Sequence, residues 1–390
     1  MQQFDFVIHG AGMIGSATAV GLAQLGFSVA LIEAKPPQPF DALQPFDMRV
    51  SALSFASELM LERLGAWSWI RKQRIRTYKH LEAFERPDQV LRFSAPDAGL
   101  PYLGHFVENR LVQLGLWHQF EHYDQIKLWS GQSIREMTWQ PEQVVIELED
   151  GETLAAKWVI GADGMHSLIR QKASIAVSGK GYDQAALVVS VRTQYPEQQT
   201  TWQQFTPEGA RAYLPLADDS ASLVWYAKPD QVQQLKSLPD AVLRREIMHA
   251  FPERLGDISI QNRAFFGLTR QHARQYVAPR TLLIGDAAHS IHPLAGQGVN
   301  LGFKDLKVLL DVITQAQNKG QQVFSEASFK PYHQLRYRDN LLMMSTMDVF
   351  YQGFKVNLPW VRKLRQFSLK CAAKSGPIKH HLLKYAVGLT

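Results

Sequence analysis

Phe4–His9 is a short, mostly apolar run that stops at Gly10-Ala11-Gly12. From Ile14 to Leu25 the apolar residues recur at helical spacing, and Ser28–Ile32 is a second apolar run. A short continuous apolar run reads as a buried strand, and apolar positions recurring every three to four residues read as a helix. The pattern therefore predicts strand, glycine turn, helix and strand, a βαβ unit of about 30 residues. Helical spacing returns at 57–72 and 111–122. Residues 143–149 and 153–160 flank Asp150-Gly151, the sequence signal of a hairpin. The run ending at Ile160 then meets Gly161-Ala162-Asp163-Gly164, a strand delivered to a turn.

From about 180 to 265 the pattern changes. The segments ALVVSVRT, TWQQFT, ARAYLPL and SLVWYA read as strands, with turn residues between them at Pro207-Glu208-Gly209 and Asp218-Asp219-Ser220. Helical spacing interrupts at 239–251, a buried-strand pattern returns at 281–285, and helices follow to about 345. An α/β frame with an inserted, mostly antiparallel sheet accounts for this order. No repeat or low-complexity linker interrupts it.

Composition narrows the picture in one place. The chain has 390 residues, 46% hydrophobic and 20% charged, which is ordinary for a protein with a full-sized core. Its net charge of +6 is concentrated: Val349–Thr390 holds 8 basic residues and no acidic one, leaving 34 basic against 36 acidic before it. A nucleic-acid interface needs that charge on the folded body, so nucleic acid is not an expected partner. The single cysteine, Cys371, excludes an internal disulfide. Asp5 stands where an export signal would be basic, and no run of 18 apolar residues occurs. A cytoplasmic protein is expected. On a helical wheel Val361, Leu364, Phe367, Cys371 and Ala372 share one arc, with basic residues outside it. That pattern suits a helix packed on the body. It also suits one held at an anionic surface, which would make the protein peripheral to the inner membrane.

Three stretches carry chemistry. Gly10-Ala11-Gly12-Met13-Ile14-Gly15 has the spacing G-x-G-x-x-G between a strand and a helix. The first glycine makes the tight turn, the second admits a pyrophosphate to the backbone, and the third lets helix and strand pack closely. Glu33, at the end of the second strand, can accept both ribose hydroxyls and repels a 2′-phosphate, so the ligand is FAD or NAD rather than NADP. Gly161–Gly164, with Ser167 and Arg170 behind it, reads either as a ligand turn or as the capped start of a helix. In the third stretch, Leu282–Gly302, a strand presents Gly285-Asp286, and Gly296-Gln297-Gly298 opens a helix near Val299. A carboxylate there can hold a ribityl hydroxyl, and the helix N–H groups suit a polar ring edge. Two glycine turns about 280 residues apart make sense for one long cofactor.

Together the three motifs resemble the single-component flavoprotein aromatic hydroxylases in order and spacing, over almost the whole chain. RVSALSFASELMLERLGAW, VENRLVQLGLW and HPLAGQGVNLGFKD are similar to the ubiquinone-biosynthesis hydroxylases, and TWQQFTPEGARAYLPL, SLVWYAKP and MDVFYQGFKVNLP resemble most closely those members that act at C6 of the quinol ring. The resemblance implies a Rossmann-like FAD-binding domain (1–72, 102–178 and 266–345), an α+β substrate domain (73–101 and 179–265) and a basic C-terminal helical segment (346–390). It implies that Gly10, Gly12, Gly15 and Glu33 hold the ADP half of FAD. Arg49 would lie near the pyrophosphate and ribityl chain, with Gln113 along the cofactor. Asp163 would serve both FAD and NAD(P)H, and Asp286 the ribityl region. Pro293, Gly296, Gln297, Gly298 and Asn300 would surround the isoalloxazine. The pocket expected for the prenylated ring is apolar, formed by Phe205, Tyr213, Leu214, Trp225 and Pro293. NADH or NADPH would reduce the flavin, and O2 would form a C4a-hydroperoxide that an electron-rich polyprenyl benzoquinol attacks.

Other readings at this level are hydroxylation at C5, another aromatic substrate, and a non-catalytic flavoprotein scaffolding a quinone-biosynthesis complex through the basic tail. A di-iron enzyme would need paired Glu-x-x-His motifs, and Glu246–His249 is a single copy. His289 and His292 lack partners for zinc, so no metal is expected.

Overall fold

The computed structural model describes residues 1–195, 198–291 and 298–355. The chain begins with β1 (Gln2–His9), α1 (Met13–Gln24) and β2 (Val29–Glu33). Then come β3 (Val50–Ser54), α2 (Phe55–Arg63), α3 (Trp67–Ile70), β4 (Arg76–Tyr78), β5 (His80–Phe84), β6 (Val90–Ser94) and β7 (Gly104–Glu108). Helix α4 (Asn109–Trp117) leads to β8 (Ile126–Ser130), β9 (Ile134–Trp139), β10 (Val144–Leu148) and β11 (Thr153–Gly161). After α5 (Leu168–Lys172) follow β12 (Val177–Thr193), β13 (Thr200–Thr206), β14 (Gly209–Pro215) and β15 (Ser220–Ala227). Two helices, α6 (Pro229–Ser237) and α7 (Asp240–Ala250), precede the long β16 (Ile258–Ala273). The last described elements are β17 (Val277–Ala278), β18 (Thr281–Leu283), β19 (His289–Ser290), α8 (Gly298–Asn318) and α9 (Glu326–Lys355).

The first sheet has the order β17-β18-β11-β1-β2-β8. The pairs β18–β11, β11–β1, β1–β2 and β2–β8 are parallel. Parallel strands are covered on both faces, which explains why Phe6, Val7 and Ile8 show no exposed surface. The expected hairpin forms, with β10 antiparallel to Thr153–Ala156 at the start of β11. Helix α1 is buried nearly all round, as its run of glycine and alanine allows. A Cβ on Gly21 would stand 2.7 Å from Leu310, so α1 lies directly against α8.

The second sheet has the order β19-β16-β12-β15-β14-β13-β5-β6 and is antiparallel apart from the β13–β5 pair. Strands β3, β7 and β4 form a third, small sheet. The helical spacing at 57–72 becomes two helices because Gly65, at φ +82°, closes α2. Helix α6 was not expected; Pro229 at its first turn and Asp230 beside it were the available signals.

Alternation along the strands sorts the second sheet into two apolar faces. Leu187, Trp202, Tyr213, Leu223 and Trp225 pack together with Val232 of α6 and Leu243 and Ile247 of α7. Trp225 meets Phe251 edge-on at 5.7 Å, and Trp202 stacks on Tyr213 at 5.5 Å. The other face carries Ala186, Val188, Ala210, Ala212, Val224 and Tyr226, with Met48, Phe205, Leu214, Phe266 and Met347 packed against it. The residues expected to form one pocket divide between these two faces. Tyr213 and Trp225 lie on the helix-covered face, and Phe205 and Leu214 lie on the opposite one. A strand places neighbouring side chains on opposite sides, so one strand cannot give 213 and 214 to the same pocket. Pro293 lies outside the described residues, as do Gly296, Gln297 and residues 356–390 with most of the basic tail. Among the described residues, no helix is long and apolar enough to cross a membrane.

Candidate cofactor site

The three motifs converge on one place. Strand β1 pairs with β11, which sets Gly161-Ala162 beside His9-Gly10, and Ala162 N donates to His9 O at 2.9 Å. Strand β18 sits on the other side of β11, and Ile284 N donates to Gly161 O at 3.0 Å. The Arg170 guanidinium, buried behind the Asp163 turn, reaches Ala287 O at 2.9 Å and Met165 O at 2.8 Å. Thus Arg170, noted in the sequence only as following Ser167, ties the second motif to the third.

The glycines of the first turn do different jobs. Gly10 adopts φ +98°, and a Cβ there would meet Ala162 O at 2.6 Å. A Cβ on Gly15 would stand 1.8 Å from Gly10 O. A Cβ on Gly12 would touch nothing within 4 Å. The protein therefore keeps space above Gly12, at the N-terminus of α1, where no side chain caps the helix. Glu33 braces this turn: its Oε2 accepts Ala11 N at 2.7 Å and its Oε1 accepts Lys35 N at 2.8 Å. From α4, Gln113 Nε2 donates to Ala11 O at 2.7 Å.

Gly285 and the first turns of α8 lie against the first helix. Gly302 of α8 has no Cβ to separate it from Ile14, which a Cβ would approach to 2.7 Å, and Gly285, at φ +60°, packs on the same side chain. Asp286 is solvent-accessible, yet protein crowds its carboxyl on most sides. Burial pushes this carboxyl up, and His289 and Arg49 pull in the opposite direction. Arg49 also stands over the ring of Phe266 at 5.8 Å, so it lies between the cofactor turns and the second sheet.

Two expected site residues also brace the surrounding structure. The Asn300 amide bonds Ala52 O at 2.9 Å, Ser54 N at 3.0 Å and Ser57 Oγ at 2.8 Å, so its side chain locks α8 to β3 and α2. The Asp163 Oδ2 meets His9 Nδ1 at 2.8 Å and accepts Leu168 N at 2.6 Å, which begins α5. Its Oδ1 is buried with no hydrogen-bond partner among the described residues. Burial opposes ionisation of Asp163, but the His9 contacts outweigh it and hold the carboxyl below its usual range.

Behind the second turn lies a buried polar cluster that sequence reasoning missed: Asp305, His289, Arg336, Asn340, Tyr276 and His272. Asp305 falls in the motif-bearing stretch, but Arg336 and Asn340 sit in a long helix with no distinguishing pattern. His272 is 2% exposed, and burial, followed by the charges of His289 and Arg270, lowers its pKa to about 4. An unfolded histidine titrates near 6.5. Between those values the unfolded chain binds more protons than the folded one, so stability rises with pH from 4 to 6.5. The full effect is about 3 kcal/mol. A His272→Gln protein is expected to show a flatter dependence of Tm on pH over this window. Equal slopes for the two proteins would refute the assignment.

Comparison with known proteins agrees with this geometry. The FAD binding domain family model matches residues 132–326. The chain is 44% identical to the 3-demethoxyubiquinol 3-hydroxylase of Escherichia coli (strain K12), with 100% of this chain and 99% of the relative covered. The chain belongs to the ubiquinone-biosynthesis FAD hydroxylase family. Another relative, the ubiquinone hydroxylase UbiL of Rhodospirillum rubrum, is 31% identical, with 98% of this chain and 89% of the relative covered. The p-nitrophenol 4-monooxygenase of Pseudomonas putida DLL-E4 shares the fold with a TM-score of 0.80 at 18% identity, covering 99% of each chain. This family member is thus an FAD-dependent monooxygenase, for which NAD(P)H is the typical reductant. The open space above Gly12, the uncapped start of α1 and the accessible Asp286 beside Arg49 fit that cofactor.

Proposed function

We propose that the protein hydroxylates the ring of a polyprenylated benzoquinol at its one unsubstituted ring carbon. The observation that carries this reading is the 44% identity, over the full length of both chains, to a protein named for hydroxylating 3-demethoxyubiquinol. In a 2-polyprenyl-3-methyl-6-methoxy-1,4-benzoquinol the single ring carbon still bearing hydrogen is C5, because C6 carries the methoxy group. In this numbering the new hydroxyl therefore goes to C5 rather than to the C6 that the resemblance implied. FAD supplies the redox chemistry, activating O2 for insertion into an electron-rich ring after reduction by NAD(P)H.

The chain's residues bind, orient and exclude water. The Gly10–Gly15 turn and the start of α1 would take the pyrophosphate, Glu33 the adenosine ribose, and Asp286 with Arg49 the ribityl side. The first turn of α8, Gly298 onward, would face the ring system. The apolar face bearing Phe205, Leu214, Val224 and Phe266 would receive the substrate and keep water from the reacting centre.

The test is incubation of the FAD-loaded protein with NADH or NADPH, a short-chain demethoxybenzoquinol and isotopically labelled O2. The expected product carries one labelled oxygen at the former C–H position. Substrate-independent NAD(P)H oxidation with no labelled product would overturn the proposal, and a label at another ring carbon would reassign the position.

A further inference from the structure

We propose that Asp305 is a positioning residue for the cofactor turn Gly285–Ser290, and that Arg336 and Asn340 of α9 hold it in place. The inference rests on the FAD reading of that turn. Asp305 has no exposed surface, so it acts through its neighbours. Its Oδ2 accepts Gly285 N at 3.1 Å and meets His289 Nε2 at 2.5 Å. Those two anchors bracket Asp286, the accessible carboxylate of the turn. One carboxylate oxygen therefore clamps both ends of the segment that presents Asp286.

The other oxygen is committed to α9. Oδ1 accepts Arg336 Nε at 2.7 Å and Asn340 Nδ2 at 3.2 Å. Arg336 is fixed in turn by Asp339 and by Asn340 Oδ1, the latter at 2.6 Å. Tyr332 of the same helix donates to Leu283 O at 2.8 Å, which secures the strand leading into the turn. Gly302, one helical turn before Asp305, presses the same side of α8 against Ile14. The carboxylate is thus held between a fixed cation and the backbone it clamps.

A buried ion pair is weak evidence for stability, because desolvation offsets the attraction, but removing one partner leaves an uncompensated charge. What the arrangement supplies is direction: two contacts to the turn, from a carboxylate itself held by two contacts to α9, orient the segment that presents Asp286.

The test uses the full chain, stripped of FAD and titrated with it, with urea unfolding of the same apoproteins. Asp305→Asn and Arg336→Met are expected to bind FAD at least tenfold more weakly, and Arg336→Lys to recover part of that loss. Trp225→Ala, remote from the turn, is expected to lower stability and leave FAD affinity within about twofold of native. If a folded Asp305→Asn protein binds FAD within twofold of native, the proposal is overturned. It is likewise overturned if Trp225→Ala weakens FAD as much as Arg336→Met does, because the loss then follows stability alone. Should Arg336→Met fail to fold, the near-isosteric Asp305→Asn decides the matter. Failure of the ring-hydroxylation assay leaves these titrations interpretable, so the two readings stand or fall separately.

Discussion

A Gly12→Leu protein is expected to fold and to lose FAD. Gly12 sits at φ −67°, ψ −172°, extended backbone open to any residue, and a Cβ there touches nothing within 4 Å. Leucine is a poor start for a helix, so stability should fall by about 1 kcal/mol. The side chain would occupy the space through which a pyrophosphate reaches the α1 backbone, and FAD affinity should drop by roughly a hundredfold or more. Gly15→Ala should behave in the opposite way. Its Cβ would lie 1.8 Å from Gly10 O, so the backbone must shift, at a cost of about 3 kcal/mol. Urea unfolding of the apoproteins beside FAD titration separates the two outcomes. A Gly12→Leu protein that binds FAD normally would remove this turn from the cofactor site.

The second large effect is expected at neighbouring strand positions with opposite roles. Trp225 packs edge-on against Phe251 beneath α6 and α7, so Trp225→Ala should destabilise the protein by about 3–5 kcal/mol. Phe205 and Leu214 lie on the other face and are only partly buried. Phe205→Ala and Leu214→Ala should each change Tm little and raise the KM for a prenylated quinol about tenfold, the equivalent of about 1.4 kcal/mol of lost apolar contact. Measuring Tm and KM on all three decides it. If Leu214→Ala leaves KM unchanged while Trp225→Ala raises it, the substrate lies on the wrong face of this sheet for the proposal.

The sequence made the first βαβ unit legible because its cues are local. An apolar run, glycines at fixed spacing and a helical repeat identify β1, α1 and β2 within a few residues of their observed ends. The hairpin at Asp150-Gly151 was legible for the same reason. Helix α6 was missed because only Val232 and Leu235 are buried on it, too weak a stripe to set a period. Sequence could not separate Tyr213 and Trp225 from Phe205 and Leu214 because both faces of the second sheet are apolar. With both sides buried, alternation along a strand no longer distinguishes core from pocket.

By itself, then, the sequence determined the three motifs, the α/β frame with its inserted antiparallel sheet, and the carboxylate of Glu33 at the end of β2. These follow from chain chirality, glycine stereochemistry and residue charge, which act over a few positions. The tertiary structure alone decided that Arg49 stands over Phe266 on one face of the second sheet, that Asn300 braces α8 to β3 and α2, and that Arg170 and Asp305 join segments more than a hundred and about twenty residues away. Such contacts depend on where the parallel strands β18, β11 and β1 set their turns side by side. Strand pairing between distant segments is settled by packing over the whole sheet, and no local window of residues contains that information.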